Sequence, residues 1–247
     1  MFDVPRWSMI KNPYYFKSID SKSLLITAGD SWTYGDSLGK TRVRNGVDDT
    51  EYRLANVYGN HMSTELNSNW MNLALPGGSN YCILNWLGQL LDRTHNYRNI
   101  TCVITLTEAG RHEEINWAKG DTLQAALKQI VFKEYSMIKE LRLRFPQVVF
   151  KVAHNFTDSI DGYDVIEKTW LEVLTNQQLQ DETYIVISDH IKQLNYERTY
   201  PDTVEVIDRA LSRIDILDAC EYCCKEDSRH PLEQGHKLWA NYLLTQI

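Results

Sequence analysis

Short apolar runs alternate along this chain with longer stretches of helical periodicity. Runs of strand length lie at residues 24–28, 70–74, 100–106 and 148–152, and residues 184–187 are a candidate for a fifth. The third run is the richest in β-branched residues, and a Pro-Gly-Gly turn closes the second. Short apolar runs that are bounded by turn residues predict buried β-strands.

Helical periodicity fills the segments between these runs. Apolar residues recur at three- and four-residue spacing over residues 81–91, 121–145 and 231–247. Asp121 is suited to cap the second of these segments, and Pro231 to begin the third, where its missing N–H costs no hydrogen bond. The pattern therefore predicts three amphipathic helices among the strands.

Strands that alternate with helices of this length predict a parallel sheet with helices on both faces. We expect an α/β fold, a three-layer α/β/α sandwich around a mostly parallel sheet of five strands. The chain has 247 residues, of which 43% are hydrophobic, so it is long enough to bury a sizeable core. This length fits one domain over residues 1–247.

Charge and composition narrow the classes of partner. The formal net charge is −7 and the basic residues are scattered, which disfavours nucleic-acid binding because phosphate neutralisation needs clustered Lys and Arg. No apolar stretch approaches the roughly 20 residues of a membrane-spanning helix, and the first residues do not resemble a secretory signal. Five cysteines, an odd number, favour a reducing compartment. We therefore expect a cytoplasmic protein.

Polar and glycine-rich motifs follow each of the first four apolar runs. They occupy residues 30–31, 76–80, 107–111 and 154–155. The carboxyl ends of parallel strands share one edge of a sheet, which is where α/β proteins bind their ligands. The sequence thus predicts a functional site at that edge.

Ser31 is the candidate nucleophile of this site, in a Gly-Asp-Ser turn directly after the first predicted strand. A serine hydroxyl is a weak nucleophile near neutral pH, so it needs a base within hydrogen-bond reach, and that base needs an orienting group. His230 is the candidate base and Asp227 the orienting carboxylate, three residues apart and just before the last predicted helix. The three side chains would form a triad that hydrolyses esters.

Such a triad also needs donors for the oxyanion that develops during attack. Gly77 and Gly78 can bring a backbone N–H close to the substrate because no side chain intervenes. The amide of Ser31 is a second candidate. A repeat of Gly-Asp-Ser-Leu at residues 35–38 lacks a preceding strand, so Ser37 is interpreted as a loop or capping serine.

The sequence resembles the SGNH hydrolases, also called GDSL esterases and lipases. Residues 29–31 match the first block of that family with Ser31 as nucleophile, and residues 72–78 resemble the second with Gly77 as the oxyanion glycine. Residues 227–230 match the fifth block. The resemblance implies a flavodoxin-like fold and a small acyl ester as substrate, with no metal or cofactor. It favours O-acetyl groups on carbohydrates over long-chain lipids.

The third block departs from the pattern of that family. The family carries Gly-x-Asn-Asp after the third strand and its Asn donates to the oxyanion, whereas residues 106–111 here contain no Asn. Thr107 could donate a hydroxyl hydrogen bond instead, and Arg111 could bring a guanidinium into the site. Glu108 could pair with that arginine or repel an oxyanion.

Three alternatives stay open, as does the oligomeric state. A thioesterase or lysophospholipase-like activity would use the same site. A carbohydrate-binding protein that lost efficient chemistry would explain the missing Asn; the seven Trp and fourteen Tyr residues are compatible with a sugar cleft, although core packing explains most of them. A zinc protein would use Cys220, Cys223 and His236, whose order resembles zinc-ligand spacing.

Overall fold

The structure is a computed structural model that describes residues 14–36, 38, 50–94, 96–107, 121–155, 164–176, 220–224 and 230–247. For residues 121–128 the helical backbone alone is described. Every strand, helix and contact given below lies in these ranges.

Five strands of this part of the chain form one sheet. They are β1 (Tyr14–Lys17), β2 (Ser23–Gly29), β3 (Asn69–Ala74), β4 (Asn99–Leu106) and β5 (Val148–His154). Their order in the sheet is β1-β3-β2-β4-β5. All neighbouring pairs are parallel except β1 and β3, which are antiparallel. The mostly parallel five-stranded sheet predicted from the sequence is therefore confirmed.

One member of the sheet differs from the expectation. Residues 184–187 lie outside the described part of the chain, and the fifth strand of the sheet is β1, which the apolar pattern did not predict. β1 is a four-residue edge strand in which Phe16 is 44% exposed. Its place is set by pairing with β3, where Phe16 lies opposite Met71, and not by a periodicity of its own.

Seven helices accompany the strands in the described ranges. They are α1 (Ser31–Tyr34), α2 (Thr50–Asn56), α3 (Tyr58–Glu65), α4 (Asn80–Leu91), α5 (Asp121–Arg144), α6 (Trp170–Thr175) and α7 (Glu233–Leu244). The three predicted helices correspond to α4, α5 and α7. No helix that the structure describes combines the length and the apolar character needed to cross a bilayer.

The sheet separates two hydrophobic clusters, as alternation along β2 requires. Leu24 and Ile26 belong to a cluster that α4 and α5 cover, whereas Leu25 belongs to a cluster on the other face. That second cluster is covered by α2, α3, α6 and α7. Successive residues of a strand point to opposite faces of the sheet, and both faces of β2 are buried. Its sequence is therefore a continuous apolar run. The three-layer α/β/α architecture is confirmed.

The strand order places a crevice at the carboxyl edge of the sheet. If the four parallel strands are numbered in chain order, their order across the sheet is second, first, third, fourth. The chain leaves β2 toward β3 on one side and later returns to add β4 on the other. In such doubly wound sheets the ligand binds where the order reverses, which here is between the carboxyl ends of β2 and β4.

Most of the tryptophans that the structure describes lie in the core. Trp32, Trp70, Trp170 and Trp239 are each at most 2% exposed. The ring of Trp170 lies 5.2 Å from that of Trp32 and 5.4 Å from that of Trp239. These indoles join α1, α6 and α7 behind the site, so they are not available to stack on a sugar.

Candidate active site

The turn after β2 depends on a glycine. A Cβ placed on Gly29 would lie 2.0 Å from Oγ1 of Thr33 and 3.0 Å from the carbonyl oxygen of Thr105. Real Cβ atoms do not approach other atoms this closely. The absence of a side chain at Gly29 therefore lets α1 fold back onto the end of the strand.

Asp30 fixes the start of α1. Its carboxylate is fully buried, and Oδ1 accepts hydrogen bonds from the amide of Trp32 at 2.9 Å and from Nδ2 of Asn155 at 2.9 Å. The first bond is an N-cap, and the second ties the cap to the carboxyl end of β5. Asp30 is thus a structural residue that holds the backbone of Ser31 at the edge of the sheet.

The helix α1 ends after a single turn. Gly35 has φ of 80° and donates its amide to the carbonyl oxygens of Ser31 and Trp32 at 3.0 and 3.1 Å. This left-handed conformation is accessible to glycine at little cost. The short turn leaves the side chain of Ser31 at the crevice and does not draw it into a longer helix.

Ser31 and His230 meet at hydrogen-bond distance. The Oγ of Ser31 lies 2.7 Å from Nε2 of His230, although the two residues are 199 positions apart in the chain. Both are buried, at 6% and 7% exposure. The pair that the sequence predicted is brought together with the separation that a nucleophile and its base require.

A five-residue segment, residues 220–224, holds the backbone around His230. The amide of Cys224 donates to the carbonyl of His230 at 2.8 Å, and the amide of Leu232 donates to the carbonyl of Tyr222 at 2.7 Å. Cys223 and Pro231 form an isolated antiparallel bridge between these bonds. The segment therefore fixes the backbone on both sides of Pro231, including that of His230.

Asp227, the predicted orienting carboxylate, lies outside the described residues. A second carboxylate that the sequence analysis did not assign lies nearby, since Oδ2 of Asp36 is 3.9 Å from Nε2 of His230. Asp36 belongs to the repeated Gly-Asp-Ser-Leu, so the repeat was a signal for this position. A carboxylate at this distance favours the protonated imidazole through its charge.

The glycine turn after β3 lies beside the nucleophile turn. The amide of Leu75 donates to the carbonyl of Gly29 at 2.8 Å, which continues the ladder between the two strands. The amide of Gly78 donates to the carbonyl of Leu75 at 2.8 Å, so this N–H is already engaged within the turn. Gly77 has φ of 71° and, among the described residues, its amide meets no backbone acceptor. Of the two predicted glycines, Gly77 is the one that suits the donor role.

Asn80 holds the backbone of Thr107, which lies in the segment that departs from the third block of the family. Its Oδ1 accepts from the amide of Thr107 at 2.8 Å, and its Nδ2 donates to the carbonyl of Thr107 at 2.9 Å. The Oγ1 of Thr107 is buried and has no hydrogen-bond partner among the residues that the structure describes. A buried hydroxyl in that state is costly unless it serves a ligand or a function. The other predicted residue of this loop, Arg111, lies outside the described residues, as does Glu108.

Glu134 supports Asn80 from α5. Its Oε2 accepts from Nδ2 of Asn80 at 3.1 Å, whereas Oε1 is buried and meets no hydrogen-bond partner in the described part of the chain. Burial raises the pKa of Glu134 to about 8, so the side chain is mainly protonated at neutral pH. The sequence analysis missed this residue because a glutamate in an amphipathic helix normally lies on the exposed face.

Two further histidines near the site are neutral structural groups. Burial lowers the pKa of His154 to about 4, and its Nε2 lies 2.7 Å from the hydroxyl of Tyr135. Burial likewise lowers the pKa of His236 to about 3, and its Nδ1 accepts from the amide of Tyr58 at 3.3 Å. His236 is thus occupied within the core.

The alternative interpretation as a zinc protein required His236, Cys220 and Cys223 as ligands of the metal. Within the ranges that the structure describes, no three His, Cys, Asp or Glu side chains are grouped so that they could hold a metal ion. Cys220 and Cys223 lie in the segment of residues 220–224, which is hydrogen-bonded to the backbone of His230.

Comparison with known proteins finds similar solved structures but no match by sequence. No protein-family model and no curated protein matches the chain. The chain is similar to a solved lipolytic protein of the G-D-S-L family from Desulfitobacterium hafniense, at 12% identity and a TM-score of 0.44, over 91% of this chain and 99% of that one.

Two esterases are further solved structures to which the chain is similar. One is a carbohydrate esterase whose active site displays divergent catalytic and non-catalytic binding functions, at 16% identity and a TM-score of 0.44, over 92% of this chain and 69% of that one. The other is a catalytic mutant of an acetylxylan esterase from Geobacillus stearothermophilus, at 14% identity and a TM-score of 0.39, over 92% of this chain and 94% of that one.

Proposed function

We propose that this chain is a serine hydrolase that cleaves small acyl esters, with Ser31 as nucleophile, His230 as base and Asp227 as the group that orients the base. The contact of 2.7 Å between Oγ of Ser31 and Nε2 of His230 is the observation that carries the proposal. It joins residues from opposite ends of the chain at the crevice where such sheets bind ligands.

The first half of the reaction transfers the acyl group to the enzyme. The Oγ of Ser31 attacks the carbonyl carbon of the ester while its proton passes to Nε2 of His230. The C–O bond to the alcohol then breaks, and the same nitrogen returns the proton to the departing oxygen. For Nε2 to act as acceptor, the resting imidazole carries its proton on Nδ1, which is the atom that Asp227 would orient.

The second half releases the acid by the same path. A water molecule gives a proton to Nε2 of His230 and attacks the acyl carbon, and the bond to Oγ of Ser31 breaks as the oxygen recovers a proton. The carboxylate of Asp36, 3.9 Å from Nε2, stabilises the positive charge that the ring carries in both steps.

The oxyanion of each tetrahedral intermediate is stabilised by backbone amides of Ser31 and Gly77 and by the hydroxyl of Thr107. Within the described residues neither amide donates to a backbone carbonyl, and Oγ1 of Thr107 has no hydrogen-bond partner. Donors that are fixed before the substrate arrives stabilise developing charge without reorganisation. Thr107 thereby takes the part that Asn plays in the family that the sequence resembles, and Arg111 is proposed to contact the substrate.

The proposed substrate is a small acyl ester, with an O-acetyl group on a carbohydrate as the leading class. The low exposure of Ser31, 6%, favours a short acyl group beside the nucleophile. Turnover of p-nitrophenyl acetate, butyrate and octanoate, of an acetylated sugar and of an acyl thioester tests the class. A preference for octanoate or for the thioester would replace the leading class by a lipase-like or thioesterase activity.

A fluorophosphonate probe tests the mechanism itself, because it forms a covalent bond with an activated serine. We expect a single adduct on Ser31 that is lost in Ser31→Ala and greatly slowed in His230→Ala. Ser63→Ala is the matched control, since Ser63 is a buried serine whose hydroxyl donates to the carbonyl of Asn60, away from the site. Folded wild-type protein that takes no label would contradict the proposal and favour a binding protein.

A further inference from the structure

Cys220 and Cys223 lie at the two ends of one tight turn. The amide of Cys223 donates to the carbonyl of Cys220 at 3.4 Å, which closes the turn. The Cα atoms at the ends of such a turn are less than about 7 Å apart, and a disulfide spans about 4.4–6.8 Å between Cα atoms. The turn thus brings the Cα atoms of the two cysteines into the range that a disulfide spans.

The two thiols differ in reactivity. The hydrogen bond from Cys223 favours the thiolate of Cys220 and lowers its pKa, whereas the same bond raises the pKa of Cys223. Thiol–disulfide exchange begins with attack by a thiolate, so Cys220 is the attacking group. Cys102 offers the opposite case, because burial in the sheet raises its pKa and keeps it inert.

The turn is joined to the base of the proposed triad. The next residue, Cys224, donates its amide to the carbonyl of His230, and the carbonyl of Tyr222 accepts from Leu232. Glu221, between the cysteines, is exposed, whereas Cys220 and Cys223 are 6% and 3% exposed, so the two thiols lie beneath a turn whose tip is at the surface. A change in the shape of the turn is therefore transmitted to His230 through two hydrogen bonds.

We propose that Cys220 and Cys223 form a redox-active dithiol, which a low-molecular-weight disulfide oxidises to a disulfide that displaces His230 and lowers hydrolysis by Ser31. The inhibitory effect rests on the proposed function, whereas formation of the disulfide does not. The site provides a way for the redox state of the surroundings to set the activity.

The exchange balances in two steps. The thiolate of Cys220 attacks one sulfur of the oxidant, forming a mixed disulfide and releasing one thiol of the oxidant. The thiol of Cys223 gives its proton to solvent and attacks the sulfur of Cys220, which releases the second thiol. The protein loses two electrons and two protons, and the oxidant is reduced to two thiols.

Closure of the disulfide reshapes the turn. The two sulfurs become joined by a bond of about 2.05 Å, and the turn must adopt the dihedral angles that this bond requires. The carbonyl of Tyr222 and the amide of Cys224, which hold the segment of His230, move with them. Since a misplacement of about 1 Å in an active site can cost about 100-fold in rate, we expect kcat/KM to fall about tenfold or more on oxidation.

The test uses the whole chain and glutathione disulfide as oxidant. Peptide mass mapping after oxidation should find a linkage between Cys220 and Cys223, and dithiothreitol should remove the linkage and restore turnover together. Cys220→Ser and Cys223→Ser should each abolish both the linkage and the inhibition. Cys224→Ser and Cys82→Ser are matched controls that keep both, because neither residue belongs to the dithiol.

The outcomes separate this proposal from the proposed function. If the protein hydrolyses no ester in either redox state, mass mapping still tests the disulfide, and amide hydrogen exchange in the peptide that carries Cys224 and His230 still tests the coupling. Oxidation that leaves Cys220 and Cys223 unlinked, or that links Cys220 to Cys224, would overturn the site. A disulfide between Cys220 and Cys223 that changes neither amide hydrogen exchange nor ester turnover would overturn the proposed switch.

Discussion

Asn80 binds both backbone groups of Thr107, accepting from its amide and donating to its carbonyl. Through this pair the first residue of α4 fixes the chain where it leaves β4. The backbone of Thr107, the last described residue before the segment that departs from the third block of the family, is therefore held by two hydrogen bonds.

Replacing Asn80 by Ala should lower both stability and turnover. The change leaves two buried backbone groups of Thr107 unpaired, and each such group costs about 1–3 kcal/mol. Urea unfolding measures the stability loss, and Asn99→Ala is the matched control because its side-chain amide makes an exposed contact with Ser23. An Asn80→Ala variant as stable as the wild type would show that these bonds contribute nothing.

Replacing Gly29 by Ala should displace α1 and slow hydrolysis. The new Cβ would overlap Oγ1 of Thr33 at 2.0 Å, and overpacking of this kind costs about 1–3 kcal/mol. Gly88→Ala is the matched control, because its Cβ would meet Cδ2 of Leu141 at 3.3 Å within a helix that prefers alanine. Thermal unfolding and ester turnover measure both effects. Equal behaviour of the two variants would contradict the steric requirement at Gly29.

Stability should depend on pH through three buried groups. Below about pH 6.5 the unfolded chain protonates His154 and His236, whereas the folded chain does so only near pH 4 and pH 3. Stability is therefore lost as the pH falls through this window. Glu134 acts in the opposite direction, because the unfolded carboxyl ionises above about pH 4.5 and the folded one only near pH 8. Together the three groups should give the free energy of unfolding a maximum near pH 6.5.

Glu134→Gln isolates the alkaline part of this dependence. The amide cannot ionise, so the variant should escape the loss of about 1.4 kcal/mol per pH unit that Glu134 imposes between pH 4.5 and pH 8. Urea unfolding of both proteins across this range gives the difference directly. Parallel curves for the two proteins would mean that Glu134 ionises normally in the folded state.

The two carboxylates assigned to His230 should differ in their importance. Asp227→Asn should lower kcat by about three to four orders of magnitude, because the imidazole would lose the acceptor that fixes its tautomer. Asp36→Asn should cost less than about tenfold, since Asp36 acts through its charge at 3.9 Å. Steady-state kinetics of both variants decide the assignment. A larger loss in Asp36→Asn would transfer the orienting role to Asp36.

The sequence was sufficient for the features that local pattern encodes. The buried runs predicted β2 to β5, and the motifs at their ends predicted the pairing of Ser31 with His230. The contributions of Asn155 and Glu134 were not predictable in this way. Each acts through one contact with a residue distant in the chain, and neither residue type is unusual where it stands.

The edge strand β1 was missed for a related reason. Its four residues carry no periodicity that separates them from a loop, and its pairing with β3 defines it. The proximity of Asp36 to His230 was missed as well, because it depends on the left-handed turn at Gly35, which the sequence permits without requiring it.

The most direct test of the central claim compares ester turnover in Ser31→Ala, His230→Ala and the double variant. If the hydroxyl and the imidazole act as one unit, each single change lowers kcat/KM by about 1,000-fold or more, and the double variant is no slower than either. Circular dichroism of all three should match the wild type. Losses that multiply in the double variant, or a single variant with unchanged turnover, would contradict the account.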